Sequence, residues 1–102
     1  MLLRFKDNSE IAIRKYTREY AANQKEKVRL NITADYTSAD IFDSVVAKAR
    51  KEGNSSHLEI AEDNSTTVFD GYIIENILEI HDGMSNDILI RAYLPDESSV
   101  EA

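Results

Sequence analysis

The chain of 102 residues is 42% hydrophobic and 30% charged, globular proportions that exclude wholesale disorder and leave room for one core rather than two. It has no cysteine, which removes disulfides, thiol catalysis and thiolate metal sites together. The net charge of −7 is unevenly spread: residues 1–51 hold 11 Lys and Arg against 7 Asp and Glu, or +4, and residues 52–102 hold 1 against 12, or −11.

Such asymmetry suits contact between the basic part of one subunit and the acidic part of another, unless strands from the two halves interleave in space. Leu2 and Leu3 are followed at once by Arg4 and Lys6, and no apolar run approaches membrane-spanning length. A soluble protein made in the cytoplasm, with no membrane partner, is expected.

In chain order, Leu2 to Lys6 reads as a short strand with Leu3 and Phe5 on one side. The turn cluster Lys6-Asp7-Asn8-Ser9 returns it into a strand from Glu10 to about Tyr20, in which Ile11 and Ile13 share a face. After a polar connection at 21–25, Val28, Leu30, Ile32 and Ala34 alternate with Arg29, Asn31 and Thr33, the cleanest period-two pattern in the chain. Thr37 to Gly53 carries the only helix signal. Ile41, Phe42, Val45, Val46 and Ala49 recur at spacings of three and four and form one stripe to be buried. Thr37 or Ser38 caps its start, Asp40 and Asp43 suit the positive end of the dipole, Lys48, Arg50 and Lys51 suit the negative end, and Gly53 closes it.

Beyond a soft Asn54-Ser55-Ser56 link, His57 to Ala61 and Thr66 to Phe69 form a second hairpin around Glu62-Asp63-Asn64-Ser65. Asp70-Gly71 marks a bulge or bend, after which Tyr72 to Ile80 is turned by Asp82-Gly83-Met84-Ser85-Asn86 into Asp87 to Leu94. Pro95 ends the fold, giving one domain over residues 1–95 and a flexible acidic tail over 96–102. The expected class is α+β: about seven mostly antiparallel strands and a single helix in the order βββ-α-ββββ, as a roll or a two-layer sandwich.

The catalytic chemistries looked for find little support. His57 and His81 both fall inside predicted strands, and neither belongs to a catalytic motif. Gly53, Gly71 and Gly83 each sit where a cap or turn wants one, so there is no phosphate loop. The acidic turn Asp82–Asp87 lacks the alternating ligands and final glutamate of a calcium loop, and reads as a hairpin turn. Glu59, Glu75 and Glu79 are placed to face one another across strands, as glycoside chemistry would need, but nothing marks a pair as buried. No catalytic residue, cofactor or metal ligand is assigned, and the chain is read as a non-enzyme. Arg14, Lys15, Arg18, Lys25, Lys27 and Arg29 are the one basic group, on a chain whose net charge repels phosphate, so nucleic acid is a poor partner.

The positive signal lies on the second face of the strands. If Ile11 and Ile13 point inward, Tyr16, Arg18 and Tyr20 point outward; if Ile88 and Ile90 point inward, Leu89 and Tyr93 point outward, and Ile73 and Ile77 join them. Tyrosine, arginine and isolated aliphatics are what interface cores favour.

Four segments carry a family likeness: Phe5-Lys6-Asp7-Asn8-Ser9-Glu10-Ile11, Val28-Arg29-Leu30-Asn31-Ile32, Thr37-Ser38-Ala39-Asp40-Ile41-Phe42 and Phe69-Asp70-Gly71-Tyr72. Together they resemble small proteins encoded by phages and prophages of Gram-positive bacteria, over roughly residues 1–94. The resemblance implies a virion- or tail-associated structural or assembly role and carries over no catalytic residue. The expectation is a structural or assembly protein that self-associates as a homo-oligomer, or docks on another protein, through Tyr16, Arg18, Tyr20, Ile73, Ile77, Leu89 and Tyr93. The alternative is a small acidic decoy in which Glu59, Glu62, Asp63, Glu75, Glu79, Asp82 and Asp87 stand in for phosphates and capture a basic partner site.

Overall fold

In the computed structural model, which describes residues 1–20, 26–54 and 57–95, these signals become eight strands and one helix. β1 (Leu2–Arg4), β2 (Glu10–Ala12), β3 (Lys15–Tyr20) and β4 (Glu26–Asp35) precede α1 (Ala39–Arg50). β5 (His57–Ala61), β6 (Thr66–Asp70), β7 (Ile73–His81) and β8 (Asn86–Pro95) follow it. They form two antiparallel sheets of four strands, a first in the order β2-β1-β5-β6 and a second in the order β3-β4-β8-β7. The α+β class therefore stands in its two-layer form. The expected tail over 96–102 and the connection at 21–25 lie outside the described residues.

The eighth strand arises because the segment from Glu10 to Tyr20 is divided between the sheets. Ile13 N–H donates to the Met1 carbonyl beside the first sheet at 3.0 Å, whereas Arg14 N–H donates to Thr33 of the second at 2.8 Å. The chain crosses from layer to layer within one peptide unit. Because the layers face each other, the crossing also exchanges which side chains point inward: Ile11 and Ile13 before it, Tyr16 after it.

Alternation fills the space between the layers. Leu3, Ile11, Leu58, Ile60 and Phe69 line the inner face of the first sheet, and Leu30, Ile32, Ile88, Ile90 and Ala92 that of the second, all buried in one cluster. Leu30 stands opposite Ala92 and Ile32 opposite Ile90 across β4 and β8. Each fully buried aliphatic side chain contributes roughly 1.5–3 kcal/mol, which makes this central strand pair the best-anchored part of the fold.

Ser38, with extended backbone, caps α1 by accepting a hydrogen bond from Ile41 N–H at 3.3 Å. Val45 and Ala49 are buried, and Phe42 packs partly against the core beside Tyr36. Ile41 is 43% exposed, so the predicted apolar stripe opens at its first member. The helix lies along the β2 side of the first sheet, where Lys48 Nζ donates to the Glu10 carbonyl at 3.2 Å, and also meets β7 of the second.

Asn54 fixes the far end of the helix. Where the sequence suggested a soft link, this residue is only 2% exposed. Its Nδ2 donates to the Lys48 carbonyl at 2.8 Å and its Oδ1 accepts from Asp7 N–H at 3.2 Å, while its own N–H donates to the Lys51 carbonyl at 3.0 Å. Gly53, left-handed at φ +82°, gives the chain the reversal that brings Asn54 there. The helix end is thereby hooked to the turn between β1 and β2. No helix among the described residues is long and apolar enough to cross a membrane.

Candidate interaction site

The outer face of the second sheet is shaped by β7 and β8. Along β8, Ile88, Ile90 and Ala92 turn inward and Leu89, Arg91 and Tyr93 outward. β7 places Ile73 opposite Tyr93 and Leu78 opposite Leu89, but its register slips between Ile74 and Asn76, which makes Glu75 the extra residue of a β-bulge. One extra residue reverses the alternation. Before the bulge Ile73 faces out and Ile74 in; after it Asn76, Leu78 and Ile80 face out and Ile77 in. Ile73, Leu78 and Ile80 are 45%, 39% and 38% exposed. The apolar surface thus falls into two groups, Leu78 with Ile80 and Leu89 towards one end, and Ile73 with Tyr93 towards the other. Asn76 and Arg91 pair between them. Asn76 Oδ1 is buried with no hydrogen-bond partner among the described residues.

Of the seven positions expected on one outer face, Ile73, Leu89 and Tyr93 lie together on it. Tyr16 and Arg18 do not. They stand opposite Ile32 and Leu30, whose side chains are buried, and both reach Phe69 of the first sheet. The Tyr16 ring meets Phe69 edge-on with centroids 6.0 Å apart, and the Arg18 guanidinium lies 5.7 Å from the same ring centre. The crossing between Ile13 and Arg14 is the cause. Tyr20 pairs with Val28, and its side chain lies outside the described residues. Ile77 packs against the core because the bulge falls at Glu75, whereas Asp70-Gly71 forms only a bend, with Gly71 at φ +79°. Leu78 and Ile80 were missed. The adjacent Ile77 and Leu78 held the clue, since neighbours in a strand cannot both point inward.

The two-sided charge of the sequence is partly paired within one molecule. Arg4 meets Glu59 at 4.0 Å, Arg14 meets Asp87 at 2.7 Å and Arg29 meets Glu75 at 3.3 Å, each pairing the basic half with the acidic half. Three of the seven carboxylates assigned to a decoy surface are therefore balanced. Asp82 accepts from Ser85 N–H at 2.8 Å and Met84 N–H at 3.0 Å, which holds its carboxyl below the usual range and closes the β7–β8 turn on itself.

His57 bonds through Nδ1 to Asp70 and through Nε2 to Glu59 at 3.1 Å. Asp70 first, then Glu59, raises its pKa above the ordinary histidine value. With Arg4 and Glu10 these side chains form a line of alternating charge across the outer face of the first sheet, Glu10–Arg4–Glu59–His57–Asp70. His81 is likewise held by Asn86 at 2.8 Å and Glu79 at 3.2 Å, with the Tyr36 ring edge-on at 4.9 Å, and its pKa is also raised, by Asn86 before Glu79. Both imidazoles thus act as structural partners for carboxylates and amides. Among the described residues no group of three or more His, Asp or Glu side chains is arranged to hold a metal ion.

Comparison of the chain with family models, curated proteins and solved structures gives no match in any of the three.

Proposed function

We propose that the chain is a non-enzymatic assembly protein that pairs with a second copy of itself through the outer face of β7 and β8. The observation that carries this reading is the bulge at Glu75, which gathers Ile73, Leu78 and Ile80 with Leu89 and Tyr93 on one uncovered face. Monomers seldom leave such a group in water, and aliphatic, tyrosine and arginine side chains together have the composition of an interface core.

The layout of the patch favours a second copy over an unlike partner. Its two apolar groups flank the Asn76–Arg91 row. A two-fold axis through that row lays Leu78 and Leu89 of one molecule over Ile73 and Tyr93 of the other, so the surface is complementary to itself. A role in virion or tail assembly, which the resemblance to phage and prophage proteins implies, is the setting in which such pairing would serve. Replacing Leu78 and Leu89 together by glutamate is expected to yield a monomer by light scattering, with an unchanged circular dichroism spectrum and a melting temperature that no longer depends on protein concentration. Persistence of the dimer in that double variant would remove this face from consideration.

A further inference from the structure

A second place for a partner lies between β2 and α1, away from the β7–β8 face. β2 is the outermost strand of the first sheet, and its register with β1 fixes where its peptide groups point. Phe5 N–H donates to the Ser9 carbonyl and Ile13 N–H to the Met1 carbonyl, so the residues bonded towards β1 are 9, 11 and 13. The peptide groups of Glu10 and Ala12 consequently turn the other way, towards α1. The Glu10 carbonyl receives Lys48 Nζ at 3.2 Å, while the N–H and C=O of Ala12 have no partner among the described residues. Free strand edges of this kind are templates for another strand.

The helix stands off from that edge. A groove of about 360 Å³ separates them, walled on the helix side by Ile41, Ser44, Val45 and Lys48, whose spacing sets them on one stripe of α1. Ile11, Ile13 and Ala34 supply its apolar floor. Ile41, exposed although the sequence marks it for burial, is a groove wall. From Glu10 to Ile13 and from Ile41 to Lys48 the two sides each run about 10 Å, room for three or four extended residues.

The charges at its ends are unlike. At one end the Glu10 carboxylate is held by Arg4 at 2.8 Å, and Lys48, which meets only a neutral carbonyl among the described residues, is the cation that lines the groove. At the other end Asp35 and Asp87 share the single guanidinium of Arg14, at 3.0 and 2.7 Å, and leave a negative field.

We propose that this groove binds an extended peptide segment of a partner protein, added antiparallel to β2 with the pattern aliphatic, polar, aliphatic, acidic. The polar residue lies opposite Ala12 and exchanges both hydrogen bonds with it. The aliphatic residues, opposite Ile13 and Ile11, turn their side chains into the floor beneath Ile41 and Val45. The acidic residue, opposite Glu10, shares the Glu10 carbonyl through its N–H and places its carboxylate on Lys48. A basic residue ahead of the pattern meets the Asp35 end, and this charge order selects the antiparallel direction.

The test is a titration of isotope-labelled protein with the peptide acetyl-Lys-Val-Thr-Val-Glu-amide, followed by amide NMR. Saturable shifts at Glu10 and Ala12, with β7 unmoved, are expected. The charge-reversed peptide acetyl-Glu-Val-Thr-Val-Lys-amide should bind about tenfold more weakly, and Lys48→Glu should invert that preference. Ala12→Pro removes the N–H and should abolish binding; should that variant fail to fold, the Lys48→Glu inversion decides alone. Equal binding of both peptides, shifts centred on Leu78 and Leu89, or no shift at millimolar peptide would overturn the proposal. The groove shares no residue with the β7–β8 patch, so the titration run on the Leu78→Glu and Leu89→Glu double variant separates its failure from that of self-pairing.

Discussion

A buried side chain that satisfies several backbone groups at once is worth more than its own contacts, and Asn54 is that residue here. Asn54→Ala leaves the Lys48 carbonyl and the Asp7 N–H without their partner. Denaturant unfolding should show a loss of about 2–3 kcal/mol, since each stranded buried group costs on the order of 1–3 kcal/mol. The sequence hid this role because Asn-Ser-Ser has the composition of a loop, and the groups Asn54 serves are set by the folded chain rather than by neighbours. His57 was visible as a strand residue, but Asp70 and Glu59 become its partners only through the β5–β6 register. Those carboxylates, Asp70 before Glu59, raise its pKa. A raised folded-state pKa contributes stability that is complete below the unfolded value, about 6.5, and is lost as pH rises through the folded value. The melting-temperature advantage of the native protein over His57→Gln should therefore be greatest at about pH 6 and shrink towards about pH 9. A gap that grows with pH would mean that His57 is held neutral instead.

At the scale of elements, what could be read from the sequence was whatever a local period encodes. The alternation of β4 and β8 and the capped helix follow from residue spacing, and so do the β1–β2, β5–β6 and β7–β8 pairs. What could not be read were two of the points where the period is broken, the crossing at Ile13-Arg14 and the bulge at Glu75. Each changes the face of everything after it until the next turn. The crossing sent Tyr16 and Arg18 to Phe69, and the bulge exchanged Ile77 for Leu78 on the outer face. Neighbouring substitutions test this directly. Ile77→Glu forces a charge towards the core and should cost about 2–4 kcal/mol, whereas Leu78→Glu should leave the melting temperature within a degree or two. Equal effects from the two would place the bulge elsewhere.

For the molecule as a whole, folding changes the meaning of its charge. The sequence offered a basic half and an acidic half able to attract one another between subunits. The sheets instead interleave the halves, so that Arg4, Arg14 and Arg29 each meet an acid from the second half of the chain. What remains is a net charge of −7 on a molecule that exposes Ile73, Leu78 and Ile80 on one side of the second sheet, and Leu2, Ile41 and Val68 elsewhere. Association through such a face works against repulsion between like-charged copies, and salt screens that repulsion. Added salt should therefore tighten self-pairing, the reverse of the response expected from charge-complementary assembly.

Light scattering on a sizing column, with the native protein at low and high salt, is the most direct measurement of self-pairing. It should give about twice the chain mass of 11.6 kDa, with the dimer holding to lower protein concentration as salt rises. A species of 11.6 kDa under both conditions, or a dimer that salt dissolves, would contradict pairing through the β7–β8 face.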